Sequence, residues 1–352
     1  FYFCHNFKHQ NEKNMLHKIY IFFIILFTLN CCYNEENKFQ IPEEELNKNN
    51  VDINLERMEK DVFDRSKEAT KKHQFLLNKY GDFYKYYFAY IIGAGDPDGP
   101  TSSKRLDDFI KDSTVNLFYN ELKEEFNNFH PFENELTNAF KHYKYYFPDS
   151  TVPKVTTFYS NFEYQVLDTK YGLAIGVELF LGKENPLIKR LPKNIFHQYL
   201  IDKMEKKFLS SRTLYGFLYN RFYKPLGDDL ISSIIAEGKI YYLLKLMMPE
   251  LPENILMLYD KDELNWCINN QNNVWKLMIN KQLIYYKDKR MINDFILWGP
   301  STKQLGPDSP AYVGKWIGFQ IIKDYANSTN KSINEILEEK NVQTLLSTYD
   351  PK

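Results

Sequence analysis

The sequence predicts an α+β protein: a small sheet of about four strands, followed by a mainly helical C-terminal half. Short alternating or β-branched runs cluster before residue 190. From residue 194 onward apolar residues recur at helical spacing, with breaks at Pro225-Leu226-Gly227, 249–252 and 299–310. The chain of 352 residues is 43% hydrophobic and 16% aromatic, enough apolar area for a sizeable core.

Residues 51–58 read as a half-buried strand, alternating over their first five positions, and residues 61–92 carry helical spacing around Phe63, Phe75, Leu76 and Tyr80. The run Gly93-Ala94-Gly95-Asp96-Pro97-Asp98-Gly99-Pro100 breaks the chain. It fails the phosphate-loop pattern because its third glycine comes one residue late, and Thr101 stands where a calcium loop needs glycine. It therefore reads as a turn, with Ser102 or Ser103 capping a helix over 104–127. A second helix spans 133–147 and stops at Pro148. Three β-rich runs follow, at 154–160, 162–167 and 173–181, completing the sheet-containing part, 51–190. The helical part, 191–352, belongs to the same domain, and no internal repeat is apparent.

The first residues have a different character. Residues 16–29 hold an apolar run whose unbroken part is too short to span a bilayer but fits a signal-peptide core. Lys13 and Lys18 supply its basic flank, and Met15 is the expected start. The run ends in Leu29-Asn30-Cys31-Cys32 and turns polar at once, as at a bacterial lipobox. Cys32 is the favoured acylation site, with Cys31 the other choice, so residues 1–32 read as leader and lipobox. Residues 33–50 are polar and aperiodic and read as a flexible tether. Cys267 is then the one cysteine left in the folded part, so neither a disulfide nor a thiolate metal cluster is expected.

Charge excludes one class of partner. With 45 basic and 46 acidic side chains the formal charge is −1, and losing residues 1–31 takes it to −3. A nucleic-acid binder normally shows a basic excess.

The helix expected over 228–248 is the most informative element. Leu230, Ile234, Tyr241, Leu244 and Met248 mark an apolar seam, and Glu237 takes its missing step. A carboxylate in an apolar face must be paired, protonated or metal-bound. Gly238, beside it, admits a close backbone or ligand. An intact HExxH zinc motif occurs nowhere; His197-Gln198-Tyr199-Leu200-Ile201 keeps one histidine and lacks the base and the second histidine. His197 and Glu237 are two ligands where a catalytic zinc needs three, so no metal and no cofactor are expected. There is no GxSxG elbow and no Cys/His pair, so no catalytic residue can be named. The stretch 299–310 is a long loop of the kind that often binds ligands. It leads into a helix over 311–325, apolar nearly all round, where Gly314 and Gly318 share a face beside Trp316. The glycines serve either close contact with a neighbouring helix or the lining of a groove.

Several blocks together resemble the gliding motility-associated lipoprotein GldB family of the Bacteroidetes. They are the lipobox leader, Ala139-Phe140-Lys141-His142-Tyr143-Lys144-Tyr145-Tyr146-Phe147-Pro148, and Val152-Pro153-Lys154-Val155. With them go the strand expected over 176–181, Glu237-Gly238-Lys239, and Trp266-Cys267 with Val274-Trp275. Last comes Gly306-Pro307-Asp308-Ser309-Pro310 leading to Gly314-Lys315-Trp316-Ile317-Gly318. The resemblance covers the chain after the leader. It implies an envelope lipoprotein required for gliding and tied to the machinery of type IX secretion, with other envelope proteins and the membrane as partners. It also implies an outline similar to zinc peptidases that use HExxH plus a later Glu, with Glu237 where the third ligand would be. The resulting expectation is a non-catalytic protein or peptide binder on a degenerate peptidase-like fold. The alternatives are an envelope hydrolase using unrecognised residues and a glycan- or peptide-binding module.

Overall fold

The structure is a computed structural model that describes residues 39–351. The expected leader, with Cys31 and Cys32, lies outside the described residues, as does the start of the tether. Contacts divide the chain into Phe1–Gln40 and Ile41–Lys352, and the second unit carries every element below.

Four strands form one mixed sheet in the order β1-β2-β4-β3: β1 Leu55–Arg57, β2 Val155–Phe158, β3 Val166–Thr169 and β4 Gly172–Gly176. β1 and β2 are parallel, as are β2 and β4, while β3 and β4 form an antiparallel hairpin. Every residue of β2 is buried, as expected of a parallel strand covered on both faces.

Nine helices of eight or more residues stand among the described residues. They are α1 Ala69–Tyr86, α2 Ser102–Lys111, α3 Ser113–Glu125, α4 His130–Tyr146, α5 Leu209–Phe222, α6 Leu230–Met247, α7 Lys261–Asn280, α8 Lys289–Ile296 and α9 Val313–Ser328. The predicted α+β class, with a small four-strand sheet and a mainly helical second half, is what the molecule shows.

Several boundaries differ from the expectations, each for a local reason. The first strand is only Leu55–Arg57 of the expected run 51–58, because pairing with β2 selects the three residues opposite Val155, Thr156 and Thr157. The expected helix over 104–127 is two helices, since the Asp112 side chain accepts from the amides of Thr114 and Val115 and starts a new one. Neither Ser102 nor Ser103 caps α2; Thr101 holds that place without a side-chain bond. The stretch 176–181 is not strand: β4 ends at Gly176 and Val177–Phe180 form a 3₁₀ turn that buries Glu178. The expected flexible tether holds a helix, Glu43–Asn47, whose first turn places three glutamates at its positive end. Lys141 on α4 donates to Asn47, so that segment is tied down.

α6 is the hub of the helical half. All but two of its eighteen residues are buried, and it packs on α4, α5, α8 and α9. Asp229 caps it by accepting from the Ser232 amide. α5 links the two halves, lying on β3 through Gly216, where an added Cβ would press on Val166.

A buried carboxylate held by lysine and tyrosine

Glu237 projects from the middle of α6 and is 3% exposed. Tyr215 on α5 donates its hydroxyl to Glu237 Oε2 at 2.8 Å, and Lys315 Nζ on α9 lies 3.3 Å from the same oxygen. Lys315 also donates to the Tyr215 hydroxyl at 2.9 Å, closing a triangle. Burial lowers the Lys315 ammonium's pKa, which the Glu237 carboxylate opposes. Burial, reinforced by Glu237, pushes the Tyr215 phenol far above its ordinary value, so it stays a donor.

Three helices must meet closely for this triangle to form, and glycines permit it. An added Cβ on Gly238 would collide with the Gly318 carbonyl, and one on Gly318 with the Ile234 carbonyl. Gly314 lies against Phe295 and Ile234. These glycines lie in the α6–α8–α9 contact and not along an open groove. Trp316 is buried beside Phe319, and its Nε1 has no partner among the described residues.

His197 does not join Glu237. It is exposed, precedes a short helix at Gln198–Ile201 and stacks on Tyr199. No group of three His, Cys, Asp or Glu side chains that could hold a metal is found among the described residues. Cys267 is buried and free, and burial pushes its thiol up to about 12, so it is inert at neutral pH. The loop 299–310 is laced to itself: Thr302 donates to Pro310, and Ser309 to Thr302 and Gly306.

Three residues that matter here carried no pattern in the sequence: Arg212, Tyr215 and Gln165. Tyr215 and Tyr219 lie one turn apart on α5, and Tyr219 stacks on Tyr223 just beyond it, with ring centroids 4.4 Å apart. Arg212, Tyr215 and Tyr219 line a cleft of about 350 Å³ between α5 and the 163–168 segment. A lysine between Gly314 and Trp316, in the apolar first turns of α9, was the available signal for Lys315, and the missing seam step had already marked Glu237.

A helical bundle against a small mixed sheet, with an ion-paired carboxylate at the helical crossing, defines an α+β protein with a buried polar centre. Residues 40–351 match the family described as Gliding motility protein GldB. The chain belongs to that family, which ties it to gliding motility. No curated protein and no solved structure matches it. The outline likeness to zinc peptidases is unsupported, since Glu237 faces Tyr215 and Lys315 rather than imidazoles. No helix of the described residues is long and apolar enough to cross a membrane.

Proposed function

We propose that this protein is a lipid-anchored envelope component of the gliding apparatus, or of the type IX secretion machinery, and that it works by binding a protein or peptide. The observation that supports binding over catalysis is the state of Glu237. Its Oε2 already holds a lysine ammonium and a tyrosine hydroxyl. A carboxylate engaged in this way acts as a strut between helices, since a general base must be free to take a proton from substrate. The cleft beside it, walled by tyrosines from α5, is the surface a partner segment would enter. The anchor is an acyl group on Cys32, or on Cys31, with the other envelope proteins of the machinery within reach of the tethered domain.

The test uses cells lacking the protein and cells re-supplied with wild type or with Cys31→Ser/Cys32→Ser. The expected result is loss of colony spreading without the protein, and loss of acyl labelling and of spreading in the double variant. Unchanged spreading without the protein would refute the motility role. The purified chain should leave a quenched-fluorescent peptide library intact. Turnover that vanishes in Glu237→Gln would overturn the non-catalytic reading.

A further inference from the structure

We infer that the cleft over Arg212 captures a carboxylate of the bound peptide, an inference that rests on the peptide-binding reading above. Arg212 is half-buried on α5 and lines the cleft. Its Nε donates to Gln165 Oε1 at 2.8 Å, and its guanidinium carbon lies 4.6 Å from the centre of the Trp298 ring. These two contacts fix the plane of the fork. Among the described residues no carboxylate lies within ion-pair distance of it, and no acceptor meets its Nη atoms. Arg221, by contrast, is paired with Asp168, and Arg57 with Glu59.

A partly desolvated guanidinium without a counter-ion is costly, and burial lowers its pKa accordingly. Asp168 is already paired with Arg221 and Glu237 with Lys315, so neither serves Arg212 as a counter-ion. A planar fork with free donors matches a carboxylate in bidentate geometry. Glu163 and Asp168 stand on the cleft wall, which disfavours a doubly charged phosphate opposite a single guanidinium. The faces of Tyr215 and Tyr219 give the remaining wall apolar area for the residue that carries the carboxylate. The cleft is at the small end of ligand sites, so it takes one or two residues and not a folded surface.

The experiment titrates the purified chain with three pools of N-acetylated hexapeptides, followed by tryptophan fluorescence and thermal shift. One pool has a free C-terminal carboxylate, the second is amidated with Asp and Glu inside, and the third is amidated with Asn and Gln instead. Saturable binding of the first pool points to a chain terminus, and of the second to an acidic side chain; the third should not bind. Arg212→Gln should weaken binding about tenfold or more, while Arg190→Gln, a remote exposed cation, should not. Should Arg212→Gln fail to fold, Gln165→Leu, which frees the fork from its orienting partner, should weaken binding severalfold. Equal binding of the third pool, full binding by Arg212→Gln, or no binding of any pool would overturn the inference. A variant Arg212→Gln that still supports colony spreading would overturn it too, while leaving the motility role intact.

Discussion

Two buried glutamates, Glu237 in the helical half and Glu178 in the sheet half, are held by opposite means. In the helical half, Glu237 is matched by a lysine on another helix. In the sheet half, Glu178 is fully buried, and no lysine or arginine lies within ion-pair distance among the described residues. Its Oε1 instead accepts from the amides of Ser160 and Phe162, both at 2.8 Å, and from the Ser160 hydroxyl. Asn161 and Phe162 hold positive φ there, so the backbone just after β2 wraps around the carboxylate. Among the described residues, Oε2 of Glu178 has no partner, and neither does the buried Tyr87 hydroxyl. Burial pushes the Glu178 carboxyl up to about 7, opposed by those hydrogen bonds. An ion-paired carboxylate and a backbone-solvated one thus fail differently: the first when its partner is removed, the second when pH changes.

The largest effect should come from Lys315→Met. It leaves the Glu237 carboxylate buried and unpaired, which costs about 3–5 kcal/mol. Urea unfolding should show this, and Glu237→Gln/Lys315→Met should lose far less than the two single losses combined. Additive losses would mean that the pair contributes nothing as a pair.

The next effect is pH dependence. The folded-state value of Glu178 lies above the ordinary carboxylate value of 4.5, so the native chain holds a proton that the unfolded chain has released. Stability therefore falls as pH rises through about 4.5 to 7, by up to about 3 kcal/mol, and then levels off. Glu178→Gln removes that slope, so the variant should gain on wild type between pH 5 and pH 8 in denaturant titrations. An unchanged slope would assign the pH dependence to other groups.

Gly238→Ala drives a methyl group into the Gly318 backbone and should lower stability by about 2 kcal/mol. Thermal melts check this, and an unshifted melt would show that α6 and α9 separate freely. The smallest effect is Tyr215→Phe, which removes the hydroxyl shared by Glu237 and Lys315 and should cost about 1 kcal/mol. A null result there would leave Lys315 as the sole support of the carboxylate.

The contrast also explains what could be read in advance. α6 is long and periodic, so its span was legible to within two residues, and Glu237 stood out against it. Glu178 offered the same signal, a carboxylate in an apolar run, but Val177–Phe180 are too few to show a period and read as strand. Arg212 and Tyr215 lie on α5, which mixes polar and apolar residues all round and so shows no face. In a chain with 27 tyrosines, no single one draws notice. Their role appears only when α5, α6 and α9 are brought together, and local sequence does not encode that crossing. β1 is shorter than the run 51–58 for a similar reason, because a strand of three residues is chosen by its partner and not by its own pattern.

That partner has a consequence for how the chain acquires its shape. Leu55 pairs with Val155, one hundred positions later, whereas β3 and β4 are joined by a tight turn. Closing the short hairpin costs little chain entropy, and closing the hundred-residue loop costs more and is slower. β1 is thus the last strand to engage, and until residue 157 has been made it has nothing to pair with. In pulsed hydrogen exchange during refolding, amides of β4 should gain protection before those of β1. The interval between them is a window in which an unpaired strand is open to wrong partners, including other copies of this chain.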